Sequence, residues 1–277
     1  MPVFISGSRW EPDLFYDILK RIMSILLFIF GISIGSFINA AVFRLRESES
    51  IVFDRSRCPK CGHILSWYEL IPLFSFLIQL GRCRACNQKI SWQYPLVELV
   101  AGLIFMFIYY QFPALNSQYA NFQLWYFFLI FSALLFIFIF DFKYYIIPNK
   151  VLYPLIAIVL LYNLFAFSLA ENLDRLLAIA PAAGFFLILY LISRGTWIGF
   201  GDVKFGIFMG LFLGWPAVLA ALFLSYLLGA LIGGLLMFLG GKTLKSQVPF
   251  GPFLIAGTFI AFFYGEQMIK WYLTLLS

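Results

Sequence analysis

Residues 123–141 read QLWYFFLIFSALLFIFIFD, eighteen residues without a charge closed by an aspartate. A helical run of that length is close to the roughly 20 apolar residues that cross a bilayer. Comparable runs lie near residues 22–43, 96–112, 150–168, 176–193, 203–215, 217–239 and 252–273. The chain therefore reads as an all-α polytopic membrane protein with about eight transmembrane helices. The pair of runs around Gly214, Trp215 and Pro216 reads equally as one broken helix, which would make seven spans.

Composition points the same way. Of 277 residues, 63% are hydrophobic and 21% aromatic, while only 12% are charged. Soluble domains carry roughly 25% charged residues, so a soluble core would have more apolar surface than it could hide. The net charge of +6 comes from cations set between apolar runs rather than on one basic stripe, which argues for membrane topology and against nucleic acid as a partner. The first run is too long for the core of a signal peptide and lacks a small-residue cleavage site, so it is expected to remain as a span.

The polar segment 44–95 separates the first two spans and carries Arg44, Arg46, Arg55, Arg57, Lys60, Arg82, Arg84 and Lys89. Excess Lys and Arg mark cytoplasmic loops. Alternating eight spans from there also places Lys143, Lys150, Arg194, Lys204, Lys242 and Lys245 inside. Five cations remain outside: Arg9, Lys20, Arg21, Arg175 and Lys270. Both termini then face outward, and the connections around Asp141, Asp202 and Val248–Pro252 open to the cytoplasm. Three regions are expected: 1–43 with the first span, a cytoplasmic insert at 44–95, and a membrane domain of about seven helices at 96–277. Within the insert, Leu70–Leu80 is apolar but too short to span, which fits an interfacial or re-entrant piece.

All four cysteines fall in the insert, as Cys58-Pro59-Lys60-Cys61 and Cys83-Arg84-Ala85-Cys86 with 21 residues between the pairs. Each two-residue gap lets a knuckle aim two thiolates at one tetrahedral centre, so Cys58, Cys61, Cys83 and Cys86 read as ligands of a zinc-ribbon-like site. Disulfides or free thiols are the alternatives, and a cytoplasmic insert disfavours disulfides. Four thiolates close the coordination shell, which makes such a zinc structural. His63, the one histidine, follows Cys61 by two residues and is most simply a surface or second-shell group.

One histidine excludes the His-Glu-x-x-His metalloprotease pattern and disfavours a Ser-His-Asp triad in the membrane. No glycine-rich phosphate loop ending in Lys-Ser or Lys-Thr is present. Carboxylates are left as the chemistry-bearing candidates. Asp141 closes the quoted run, and Asp202 follows Gly199-Phe200-Gly201 and opens another. Acids at membrane spans are costly and tend to serve function; two facing each other can share a proton and activate a water. Alone, Asp202 could equally cap a helix N-terminus, and Asp141 could be a solvated helix-end acid. A transporter or channel with a zinc insert, its acids binding protons or cations, is the reading from a different class.

The chain resembles the type IV prepilin leader peptidases, bifunctional membrane aspartyl proteases and N-methyltransferases of bacteria. The resemblance runs through Gly35-Ser36-Phe37-Ile38-Asn39 with Arg44-Leu45, both cysteine knuckles, Ser66–Pro72, Tyr94–Leu99, Ile147-Pro148-Asn149, Gly199-Phe200-Gly201-Asp202 and Val248–Pro252. It implies that Asp141 and Asp202 are the catalytic pair of a protease domain at 96–277. It also implies pilin-like or pseudopilin precursors of type IV pili or type II secretion as substrates, cleaved after a short basic leader. Methylation of the new N-terminus with S-adenosylmethionine and residence in the bacterial inner membrane are implied as well. Glu69 and Glu98 are candidate polar participants, though cofactor contacts are not assigned by spacing. Arg46 stands where the family often has proline, and Asn149 where an aspartate is common. Within the enzyme class, a presenilin-like general intramembrane protease is the alternative, which the zinc insert argues against.

Two further expectations concern geometry. Asp141 at a helix C-terminus and Asp202 at a helix N-terminus should feel opposite macrodipoles, which predicts unequal roles, with Asp202 the water-activating base. Gly229, Gly233 and Gly234 should permit close helix packing.

Overall fold

A computed structural model describes residues 12–47, 49–51, 53–112, 118–239 and 248–276. These residues form nine α-helices and a short 3-10 turn, Trp67–Leu70: α1 Pro12–Glu47, α2 Phe74–Ile78, α3 Gln93–Gln111, α4 Gln118–Tyr144, α5 Asn149–Ala166, α6 Leu169–Ser193, α7 Phe200–Leu213, α8 Ala217–Phe238 and α9 Gly251–Leu276. Among the described residues there are no strands, only isolated bridges at Arg57–Ile64 and Arg82–Lys89. In lipid every backbone N–H and C=O must be satisfied within its own segment, which apolar runs of this length achieve only as helices.

Among the described residues, seven helices are long and apolar enough to cross a membrane. The protein is a multi-pass membrane protein. Helix α1 has 36 residues, longer than its apolar run, because the helix continues through Asp17, Lys20 and Arg21 before the run and Arg44 and Arg46 after it. Hydropathy marks only the stretch that suits hydrocarbon.

The chain divides into two compact units, Met1–Ser132 and Ala133–Ser277, with the break inside α4. In the first unit α1 and α3 lie antiparallel. A Cβ at Gly35 would stand 2.7 Å from Glu98 Cα, so the absence of a side chain there sets the closeness of the two helices. Asn39 Nδ2 donates to the Tyr94 carbonyl at 3.1 Å. Two stretches read separately in the sequence, Gly35–Asn39 and Tyr94–Leu99, are thus one packed seam.

In the second unit α5, α6 and α7 alternate in direction. Lys204 Nζ donates to Asn149 Oδ1 at 2.9 Å at one end of α5 and α7. Asn163 Nδ2 donates to the Leu211 carbonyl at 2.8 Å at the other. Helix α7 has 14 residues, a rise of about 21 Å, and these two ties show it running parallel to its 18-residue neighbour α5. With 14 residues it is shorter than the seven candidate spans, the shortest of which has 18. Gly214, with φ 71°, ends α7, and α8 then starts at the same end. The Gly214–Pro216 break therefore separates two helices.

The second unit has one end rich in chain breaks. The C-terminus of α4 and the N-termini of α5, α7 and α9 meet there, with Lys143, Lys150, Arg194 and Lys204. Arg175 and Lys270 belong to the opposite end, where Arg175 Nη1 donates to the Phe212 carbonyl at 2.8 Å. Lys242 and Lys245 lie outside the described residues.

Close packing of α8 through its glycines is not found. A Cβ at Gly233 or Gly234 would meet nothing within 4 Å, and one at Gly229 only ordinary contacts. Helices α8 and α9 approach most closely at Gly257, against Ser225 and Ala221. A glycine run in one helix does not reveal which face its neighbour takes.

Candidate active site and cysteine centre

Helix α4 ends just beyond Asp141. Tyr145 takes the left-handed conformation with φ 59° and its N–H closes onto the Asp141 carbonyl at 2.8 Å; the chain then runs through Ile147 and Pro148 into α5. Asp141 is only 5% exposed. Its Oδ2 accepts from the backbone N–H of Gly251 at 3.1 Å, across 110 residues of sequence. A Cβ at Gly251 would lie 2.5 Å from that same oxygen, so position 251 admits no side chain while Asp141 holds this place.

Asp202 is the third residue of α7 and is 8% exposed. Its Oδ2 accepts from the N–H of Gly199 at 3.2 Å, the acidic half of a capping box. The capping reading and the chemical reading are thus compatible, since one oxygen caps and the other stays available. Gly201 is packed on the far side, where a Cβ would stand 3.2 Å from Ile147 Cβ. The tightness at Gly201 is against the chain's own Ile147.

The two carboxylates are brought within charge–charge reach of each other. Asp141 has two helix ends beside it. Asp141 belongs to the C-terminus of α4, but its carboxylate reaches the first N–H of α9. Each acid therefore sits at the positive end of a helix and each accepts one glycine N–H. Asp141 has in addition the negative end of its own α4, which Asp202 lacks.

The Tyr226 ring packs on Phe250, centroids 4.9 Å apart, next to Gly251. Its hydroxyl is buried with no hydrogen-bond partner among the described residues and lies within electrostatic reach of Asp202. Neither Tyr226 nor the Gly251 N–H was legible as a site group: Val248–Pro252 stood out as a motif without a role, and Tyr226 carried no motif at all.

In the first unit, Cys58, Cys61, Cys83 and Cys86 place all four Sγ atoms within 4.8 Å of one another. A tetrahedral Zn–S4 centre with bonds of about 2.3 Å needs sulfurs about 3.8 Å apart, and Cys58 Sγ to Cys86 Sγ is 4.0 Å. The donor set and spacing fit zinc. The two knuckles repeat each other. Gly62 N–H donates to the Cys58 carbonyl and Asn87 N–H to the Cys83 carbonyl, each at 2.9 Å, and Gly62 and Asn87 both have positive φ, 72° and 59°. Burial opposes ionisation of Cys58, but backbone N–H groups of Cys61 and Lys60 bring its thiol down to about 7, whereas Cys86, despite the Gln88 N–H, is pushed up to about 11 by burial and by its hydrogen bonds with the other three sulfurs. His63 stays outside the sulfur cluster. Its Nε2 lies 3.4 Å from Glu69 Oε2, which also accepts the Ser66 N–H at 2.9 Å. Glu69 is buried, and its Oε1 has no partner among the described residues. Glu98, also buried, accepts the Leu73 N–H at 2.7 Å.

Fold and site together define the class: a polytopic, all-helical membrane protein built around a buried pair of aspartates, with a four-cysteine insert. Residues 29–112 match the bacterial peptidase A24 N-terminal domain and residues 128–234 the type IV leader peptidase family. The chain is 35% identical to the prepilin leader peptidase/N-methyltransferase of Bacillus subtilis, over 90% of this chain and 97% of that one. It is 32% identical to the protein of the same name from Aeromonas hydrophila, over 90% and 93%, and 34% identical to that of Myxococcus xanthus, over 80% and 65%. No solved structure matches it. The chain belongs to the prepilin leader peptidase/N-methyltransferase family.

Proposed function

We propose that this protein cleaves the short basic leader from type IV pilin-like precursors in the bacterial inner membrane, with Asp141 and Asp202 as its catalytic pair, and methylates the new N-terminus. The carrying observation is the convergence of two buried aspartates, 61 positions apart in the chain, at one end of the second unit, each oriented by a glycine N–H. That end also gathers Lys143, Lys150, Arg194 and Lys204, which favours a cytoplasmic placement by the bias of Lys and Arg toward that side.

In this reading the pair shares one proton. The ionised carboxylate takes a proton from a water whose oxygen attacks the scissile carbonyl carbon, while the protonated one hydrogen-bonds to the carbonyl oxygen and protonates it. The proton taken from water passes to the leaving nitrogen as the C–N bond breaks, and one hydroxyl of the tetrahedral intermediate returns a proton to the carboxylate that had protonated the carbonyl oxygen, so the pair keeps its one proton. The glycine N–H groups hold the carboxylates in place without a side chain between them and the peptide. The cysteine centre holds zinc as a structural ion that ties residues 57–64 to residues 82–89.

The methyl donor is S-adenosylmethionine. The unpartnered buried Oε1 of Glu69 suits a cationic group of such a donor, its sulfonium or its ammonium. When bound, the donor supplies the methyl group, and Glu69 would orient it.

Purified protein incubated with a pilin precursor in detergent tests the peptidase reading. Expected is a shortened product that disappears in both Asp141→Asn and Asp202→Asn. A product that survives either substitution overturns the dyad, and the absence of any product from the wild type favours transport by the same acids. Mass spectrometry of the matured N-terminus reads the cleavage site and the methyl group together.

A further inference from the structure

The insert's second half is docked against the end of α3. The Leu73 N–H reaches Glu98 Oε2, and the Phe76 ring lies against Trp92 with centroids 5.0 Å apart. Glu98 is five residues into α3, about 7.5 Å along the helix. Helix α2 is therefore level with the first turns of a membrane span, the depth at which headgroups give way to acyl chains. With Phe76 turned inward, α2 and the turn after it present Phe74, Leu77, Ile78 and Leu80 outward, Leu80 at 85% exposure. Trp67 and Trp92 stand exposed beside them. Such a cluster is unfavourable in water and favourable at a bilayer interface, where tryptophan is enriched.

Beside that apolar edge is an open groove of about 560 Å³ lined by Ile78, Gln79, Leu80, Arg82, Arg84 and Asn87, together with the zinc-knuckle Cys83. Gly81, at φ 66° and closed over by the Phe76 ring, turns the chain from the apolar edge to the first arginine. The Arg84 guanidinium is held over the Tyr68 ring at 5.1 Å. Among the described residues no carboxylate lines the groove.

We propose that this groove binds the headgroup of an anionic phospholipid while the outward face of α2 sits among the acyl chains of the same leaflet. Two guanidinium groups match a phosphate diester, which Arg receives through paired N–H donors. Gln79 and Asn87 can serve the glycerol oxygens, and the exposed Ile78 and Leu80 supply apolar surface for the acyl chains. The charge argues for an anionic lipid over a zwitterionic one, and the apolar rim argues for a lipid over a soluble anion. The insert thereby gains a second attachment to the membrane beyond α1 and α3, fixing its height above the bilayer.

The test uses the full chain in nanodiscs of mixed phosphatidylcholine and phosphatidylglycerol, with lipids retained on release counted by native mass spectrometry. Wild type is expected to retain phosphatidylglycerol over phosphatidylcholine. Arg82→Ala with Arg84→Ala should reduce that preference about thirty-fold, since each interfacial cation contributes about five-fold, whereas the double lysine variant should keep most of it. Equal retention of the two lipids by the wild type overturns the proposal, and this arm stands even if the alanine variant fails to fold. A preference unchanged in a folded alanine variant also overturns it. Soluble glycerol phosphate is the last arm: it should not displace the lipid, and displacement would make the groove a soluble-anion site.

Discussion

The N–H of Gly251, the first residue of α9, donates to Asp141 Oδ2 at 3.1 Å. A residue at the C-terminus of one helix thus has its carboxylate at the N-terminus of another, where the partial positive charge favours an anion. The relationship works only because position 251 has no Cβ, which would lie 2.5 Å from the same oxygen.

Gly251→Ala is accordingly expected to displace the Asp141 carboxylate and lower kcat/KM for leader cleavage about 100-fold, the scale of a misplacement of about 1 Å in a reacting group. Methylation of a peptide supplied already cleaved should be unaffected. Separate assays of the two activities check this; an equal fall in both would mean general unfolding.

Gly201→Ala should be milder. Its new Cβ meets Ile147 Cβ at 3.2 Å, a contact that a few tenths of an ångström relieves, and the expected loss of cleavage is roughly ten-fold or less. Ile147→Ala in the same chain should restore activity by opening that space. A double variant worse than the single one would show that Ile147 is not the obstacle.

Zinc content is the readout for the cysteine centre. Elemental analysis should find a single zinc per chain, and Cys58→Ser or Cys83→Ser, each removing a buried ligand, should abolish stoichiometric binding because a closed tetrahedral site tolerates no missing thiolate. Proteolysis within 53–90 should become faster on chelation. Unchanged proteolysis would mean that the ion does not hold the insert together.

Glu69→Gln separates the two activities in the opposite sense from Gly251→Ala. The amide keeps an oxygen for the Ser66 N–H, which Glu69 now receives at 2.9 Å, but loses the charge that suits a cationic donor. Leader cleavage should persist, while the KM for S-adenosylmethionine rises roughly ten-fold or more, the worth of a charged hydrogen bond. An unchanged KM would remove Glu69 from donor binding.

Much of the architecture is legible from residue patterns, since hydropathy alone locates the apolar stretch of every long helix. Helix ends were the weak point: α1 extends ten residues before its apolar run because charged residues are tolerated outside the hydrocarbon. The cysteine centre was legible because its ligands come in two local pairs. The surroundings of the aspartates were not. Gly251 and Tyr226 lie far from Asp141 and Asp202 in the chain, and no spacing rule links residues that meet only when helices pack.

The sequence by itself determined that this is a helical membrane protein, that its four cysteines fall in two knuckle pairs able to serve one metal, and that Asp141 and Asp202 are the acids to watch. These follow from local physics: the length that crosses hydrocarbon, the two-residue gap of a knuckle, the cost of an acid near lipid. Only the tertiary structure decided that α7 and α8 are separate helices, that Gly35 and Glu98 share a seam, and that Asp141 faces the N-terminus of α9. Each of those depends on which face one helix turns to another, a choice settled by packing complementarity among side chains distant in the chain.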